Sequence, residues 1–200
     1  MIAIVDYGVG NVLALQNVYR RLNIPSVIAR VPDDLAPATR LILPGVGAFD
    51  SVMRQLDASP LRATVETLVR MQGLPVLGIC VGMQVLADRS DEGTTAGLGW
   101  IAGRVRKFNQ AGLALPHMGW NDVNPAAGAE MFRGLESGAR FYFLHSYYFE
   151  CANSSDVAGT TPYGREFACA VQHHNVYGVQ FHPEKSHHWG ERLLKNFAEV

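Results

Sequence analysis

The chain has 200 residues, enough for one domain of residues 1–200 with a sizeable core. Hydrophobic residues make up 48% and charged residues 18%, with a formal net charge of -1. That balance excludes a disordered chain and offers no basic face for nucleic acid. The apolar runs are too short for a membrane span, and the opening MIAIVDYGVG has no basic segment of a leader. Cys80, Cys151 and Cys169 form neither a CxxC pair nor an even framework. Neither a metal site nor disulfides are expected, and the thiols fit a reducing, cytoplasmic setting.

Ile2 to Val5 reads as a buried strand, followed by a helix face at Val12, Leu15, Tyr19 and Leu22 that Asn23 and Pro25 end. Val27 to Ala29 and Leu41 to Leu43 are further strands, the latter stopped by Pro44-Gly45. Helical stretches run from Ala48 to Leu56 and from Leu61 to Met71, before a fourth buried strand at Val76 to Ile79. Continuous apolar strands alternating with helices predict an α/β fold whose mostly parallel sheet is covered on both faces. Beyond Trp100 the pattern changes to strands and turns: Gly103 to Phe108, Phe141 to Tyr148, Phe167 to Gln172 and Val176 to Phe181. These predict antiparallel additions in the C-terminal half, with a hairpin at His173-His174-Asn175. Leu193, Leu194 and Phe197 mark a closing helix.

Gly78-Ile79-Cys80-Val81-Gly82 follows the fourth strand directly and has the form G-x-nucleophile-x-G. A sharp strand-to-helix turn needs small flanking residues and lifts the central side chain to the edge of the sheet. A helix N-terminus there favours a thiolate, and the Val81 N–H is placed to bind an oxyanion. A structural cysteine between packing glycines is the plainer alternative, and Cys151 and Cys169, which lack that frame, are read so. The nucleophile needs a base, and the base an orienting group. His182 follows a buried strand, Pro183 biases it towards extended geometry, and Glu184 two residues on then faces the same side. His173, His174, His187 and His188 have no metal-ligand spacing and are read as solvated turn residues.

The stretches Gly-Ile-Cys-Val-Gly-Met-Gln at 78–84 and Gln-Phe-His-Pro-Glu-Lys-Ser at 180–186 resemble the two signatures of class I glutamine amidotransferases. The opening 6–11, Leu-Pro-Gly-Val-Gly-Ala-Phe at 43–49, Pro-His-Met-Gly-Trp-Asn at 116–121 and Tyr-Phe-Leu-His-Ser-Tyr-Tyr at 142–148 extend the likeness over the chain. They narrow it to the glutaminase subunits of imidazole glycerol phosphate synthases, of histidine biosynthesis. Val81 stands where leucine is commoner, but only its backbone is needed.

The resemblance implies a flavodoxin-like class I amidotransferase fold that needs no cofactor. It implies Cys80 as nucleophile, His182 as proton shuttle and Glu184 as its orienting group, acting on L-glutamine. Val81 and the Val46–Gly47 segment would bind the oxyanion, after a peptide of that loop turns over. Gln84, Glu92, His145, Ser146 and Tyr147 would hold glutamine. The implied partner is a cyclase (synthase) subunit with a (β/α)8 barrel, joined as a heterodimer at Asn11, Met118, Trp120, Tyr142 and Lys185. Ammonia would pass through that joint, and low glutaminase activity is expected without the partner. Competing readings are the glutaminase of another amidotransferase pathway, a partner-independent cysteine hydrolase on this scaffold, and an inactive scaffolding module. Co-purification with a different synthase, turnover of peptides without a partner, and an unreactive Cys80 would respectively favour them.

Overall fold

A computed structural model describes residues 1–200. The parallel half is built from β1 (Ile2–Val5), β2 (Ser26–Ala29), β3 (Arg40–Gly45) and β4 (Val76–Cys80); β1 and β4 are buried throughout, β3 from Leu41 onward, and the edge strand β2 only at Ala29. Helices α1 (Val12–Arg21), α2 (Phe49–Ala58) and α3 (Arg62–Glu66) connect them. The chain order on the sheet is β2, β1, β3, β4, so the direction of winding reverses between β1 and β3. Sites in open parallel sheets gather outside the C-terminal strand ends near such a reversal. α1 starts at Asn11, whose Oδ1 accepts the Ala14 N–H at 3.3 Å, and buries Leu15, Val18 and Tyr19.

Two elements depart from the sequence expectation here. β3 continues through Pro44-Gly45, because past Ile42 it pairs with β4 alone and the missing proline N–H disrupts no second ladder. The helix expected to Met71 passes after Glu66 into one wider π turn, Thr67–Met71.

The second half extends the sheet. β13 (Val176–Val179) lies parallel to β4, and β12 (Arg165–His173) returns antiparallel to it through the expected hairpin, with His174 at φ +50. β10 (Tyr147–Cys151), β6 (Gly103–Lys107) and β5 (Arg89–Ser90) follow outward, while β11 (Val157–Tyr163) pairs with β12 and β8 (Asn124–Pro125). A separate two-stranded ribbon joins β7 (His117–Asp122) to β9 (Arg140–His145).

The stretch expected as one strand, Phe141 to Tyr148, is therefore two strands in two sheets that part at Ser146. Residues 117–122, for which the sequence pattern predicts no strand, form β7. The closing α5 (His187–Phe197) buries Leu193, Leu194 and Phe197 against the sheet.

Candidate active site

Cys80 ends β4 with φ +58 and ψ -115, a left-handed backbone that L side chains rarely adopt. The flanking glycines make that turn possible. A Cβ on Gly82 would lie 1.9 Å from the Leu43 carbonyl oxygen, and one on Gly78 would lie 2.4 Å from the Gly82 carbonyl oxygen. Backbone thus packs on backbone, and the elbow's shape is set by β3 and β4 together. The following helix α4 is a single turn, Val81–Gln84, so its end carries little of a full helix dipole. The charged partner of the sulfur is a side chain instead.

That partner is His182. It lies three residues beyond β13, held by its own N–H on the Tyr142 carbonyl at 2.8 Å. The Ser186 hydroxyl donates to the His182 carbonyl at 2.6 Å and accepts the Tyr142 N–H at 3.0 Å, tying the turn to β9. His182 Nδ1 lies 2.9 Å from Glu184 Oε1, with both side chains almost wholly buried. The contact arises differently from the sequence expectation. Glu184 sits in a tight turn, Pro183–Lys185, rather than in an extended segment, and the turn folds the carboxylate back onto the ring.

Burial disfavours a charged His182, but the hydrogen bonds and charges of Cys80 and Glu184 outweigh it and push its pKa up to about 10. The other cysteines lack such a partner. Burial pushes the Cys151 thiol up to about 12 and the wholly buried Cys169 thiol higher still. A charged imidazole beside sulfur can hold a thiolate and later deliver a proton to a leaving amine.

A cavity of ≈ 320 Å³ opens over this pair, a size suited to an amino acid. Cys80, Val81, Val46, Gly47, Gln84 and Glu92 line it, with His145, Ser146, Tyr147, His182 and Lys185. The elbow, the loop after β3 and the β9–β10 corner therefore meet around one space. Gly47, at φ +99, has no neighbour within 4 Å of where a Cβ would sit, so its loop has room to turn.

Glu92 has a second commitment. Its Oε2 accepts the Phe49 N–H at 2.7 Å, capping α2. Asp50 accepts the Thr94 and Thr95 N–H groups at 3.1 Å each, locking the same loop from the other side.

The remaining residues form a surface beside the cavity mouth. Met118 is 65% exposed and Trp120 40% exposed, on one face of β7. Trp120 pairs across the ribbon with Tyr142, and the Lys185 ammonium lies 5.8 Å from the Tyr142 ring centroid. Leu144 and Val46, also exposed, carry this apolar surface to the cavity rim. Asn11 makes the α1 cap described above.

The paired histidines have local partners. His173 Nδ1 meets Asp156 at 2.9 Å, and His187 stacks on Trp120. No group of three or more potential metal-ligating side chains is present.

The model of the family described as "Glutamine amidotransferase class-I" matches residues 3–200. The chain belongs to the class I glutamine amidotransferase family. Among curated amidotransferases, it is 58% identical to "Imidazole glycerol phosphate synthase subunit HisH" of Bdellovibrio bacteriovorus, with all of both chains covered. It is 50% identical to the protein of the same name from Leptospira interrogans, again over the whole of both. A solved structure described as "Crystal structure of glutamine amidotransferase" superposes with a TM-score of 0.77 at 20% identity, covering 99% of this chain and 97% of that one. "Structure of PurLQS from Thermotoga maritima" matches with a TM-score of 0.75 at 16% identity, over 99% and 97%. These distant matches establish the shared amidotransferase fold.

One residue of this amidotransferase site is given no role by the sequence reading. Gln180 is wholly buried; its Oε1 accepts the Gln84 amide at 3.0 Å and its Nε2 lies 3.9 Å from Cys80 Sγ. Its position two residues before His182, on a strand-like segment, was the available signal.

Proposed function

We propose that this chain is the glutaminase subunit of an imidazole glycerol phosphate synthase, acting as one domain over residues 1–200. The observation that carries the reading is the meeting of Cys80, His182 and Glu184 under an amino-acid-sized cavity beside an exposed apolar surface. Its whole-length likeness to proteins bearing that synthase's name supplies the pathway.

Cys80 Sγ attacks the side-chain amide carbon of L-glutamine. The amide oxygen becomes an oxyanion, received by the Val81 N–H and by an N–H of the Val46–Gly47 loop once that peptide has turned. His182 gives its proton to the departing nitrogen, ammonia leaves, and a thioester remains. Water then adds with His182 as base, the C–S bond breaks, and glutamate is released. Glu184 holds the ring in position throughout. Gln84, Glu92 and the His145–Tyr147 corner grip the glutamine.

Ammonia released into bulk water near neutral pH becomes ammonium and loses its nucleophilicity, so a water-excluding joint serves the chemistry. The apolar surface at Met118, Trp120 and Tyr142, with Lys185, is the face for that joint, and a cyclase with a (β/α)8 barrel is the partner it serves. No helix is long and apolar enough to cross a membrane, and the pair is assigned to the cytoplasm.

The test is glutamate release from glutamine with and without the synthase of the same organism and its nucleotide substrate. Release that depends on the synthase, rises with its ligand and disappears in Cys80→Ala is the expected result. Silence of the wild type with that synthase would sink the pathway assignment, and activity in Cys80→Ala would sink the mechanism.

A further inference from the structure

Two histidines that do not react lie side by side beneath the glutamine corner. His117 on β7 and His145 on β9 face each other in the antiparallel ladder, and both are buried. His117 Nδ1 is 3.0 Å from His145 Nε2. His117 is also sandwiched between rings, with the Tyr163 centroid at 3.9 Å and the Phe143 centroid at 4.7 Å. The packing leaves the ring little freedom to turn over.

The positions of the protons follow from the two ends of this chain. A carbonyl only accepts, so His145 Nδ1, 2.7 Å from the Tyr147 carbonyl oxygen, carries a proton and donates. Burial keeps both rings neutral, with pKa values lowered to about 4 for His117 and about 3 for His145. A neutral imidazole has one N–H, so His145 Nε2 accepts, and His117 Nδ1 is the donor. His117 Nε2 then accepts from the Asn121 amide at 3.3 Å, whose other hydrogen goes to the Pro162 carbonyl at 2.7 Å. At the far end the Tyr147 carbonyl also receives the Gln84 amide at 3.2 Å. Every hydrogen bond from Asn121 to Tyr147 therefore points the same way.

We infer that His117 is a positioning residue for glutamine binding, holding His145 in its Nδ1–H tautomer and so fixing the Ser146–Tyr147 corner. The inference rests on the glutamine-binding role proposed above for that corner. Without a donor at position 117, His145 Nε2 is left as a buried, unpaired acceptor. If the proton moves there instead, the lone pair on Nδ1 confronts the Tyr147 carbonyl. Either outcome loosens the corner. His117 shares β7 with Met118 and Trp120, which point the other way, so a partner pressing on that strand also presses on this chain of bonds.

Long-range 1H–15N correlation spectra of histidine-labelled protein read the tautomers directly. Both His117 and His145 are expected as neutral Nδ1–H rings near pH 7, although free histidine favours Nε2–H. In the complex, His117→Phe is expected to raise the KM for glutamine about tenfold, the effect of one lost buried hydrogen bond, with kcat changing far less. His117→Asn presents an N–H near the Nδ1 position and is expected to restore most of the affinity and the His145 tautomer. An Nε2–H ring at His145 in the wild type would overturn the proton order. An unchanged KM in folded His117→Phe, or no recovery in folded His117→Asn, would overturn the positioning role. Wild type that turned over no glutamine would instead defeat the amidotransferase reading, and the spectra would still decide the proton order.

Discussion

The two halves of the molecule hold their parts of the site by different physics. In the parallel half, Cys80 is fixed by backbone packed against backbone, with Gly78 and Gly82 filling the only space there is. In the antiparallel half, His182 and the His145–Tyr147 corner are held by side-chain hydrogen bonds: Ser186 to Tyr142 and His182, His145 to His117, Gln84 to Gln180. Steric fixation has no pH dependence and tolerates no added atom. Hydrogen-bonded fixation tolerates conservative replacement and titrates. The site therefore pairs an immovable sulfur with surroundings that can adjust.

The sharpest way to break the contrast is at the elbow. Gly82→Ala places a methyl 1.9 Å from the Leu43 carbonyl oxygen, and no side chain can move aside to relieve it. The expected loss is about 4 kcal/mol, or about 8–16 °C in Tm for a chain of this size. A thermal melt checks this, and a shift of only a degree or two would show that the elbow is softer than its packing implies.

A smaller effect is expected in the hydrogen-bonded half. Glu184→Gln keeps the shape of the side chain but removes the charge that supports imidazolium. The kcat for partner-stimulated glutamine hydrolysis should fall about 10²-fold or more with a nearly unchanged fold. Steady-state kinetics with the synthase decide it; near-wild-type turnover would remove Glu184 from the mechanism.

The pH dependences of the two histidine groups differ in sign. His182 has a folded pKa raised to about 10 from 6.5. Its contribution to stability is full below 6.5 and is lost as pH rises through about 10. His117 and His145 are lowered to about 4 and about 3, so the unfolded chain binds more protons than the fold below 6.5. Stability from this pair is present above 6.5 and is lost as pH falls towards 4 and 3. Urea unfolding between pH 7 and pH 4.5 should show a falling midpoint that flattens in His117→Phe; an equally steep fall in the variant would clear His117 of the acid sensitivity.

The smallest effect separates fold from interface. Asn11→Ala removes the cap on the Ala14 N–H. It should cost the isolated chain about 1 kcal/mol, or about 2–4 °C in Tm. Scanning calorimetry of the isolated chain is sufficient, and an unchanged Tm would show that the cap adds nothing to its stability.

The contrast also explains what was legible in the sequence. The elbow lies within five consecutive residues, and β1, β3 and β4 read clearly because strands buried on both faces are continuously apolar. His182 and Glu184 were visible as neighbours, but their turn was not, because Ser186 and Tyr142 shape it from elsewhere. The break at Ser146 depends on which strands are available to pair on each side, β7 for β9 but β6 and β12 for β10. No local pattern encodes that choice. Gly119, at φ +128, interrupts the local strand pattern of β7, which depends on its pairing with β9. The glutamine-binding set came from resemblance to a family, and the cavity that gathers it depends on long-range pairing.

The central claim is that Cys80 and Glu184 together hold His182 as imidazolium beside the sulfur. The most direct measurement follows the His182 ring by 15N NMR against pH, in wild type and in Cys80→Ala. Imidazolium persisting in the wild type up to about pH 10, with a transition several pH units lower in Cys80→Ala, is the result this account requires. A wild-type transition near 6.5, unmoved by loss of the sulfur, would contradict it.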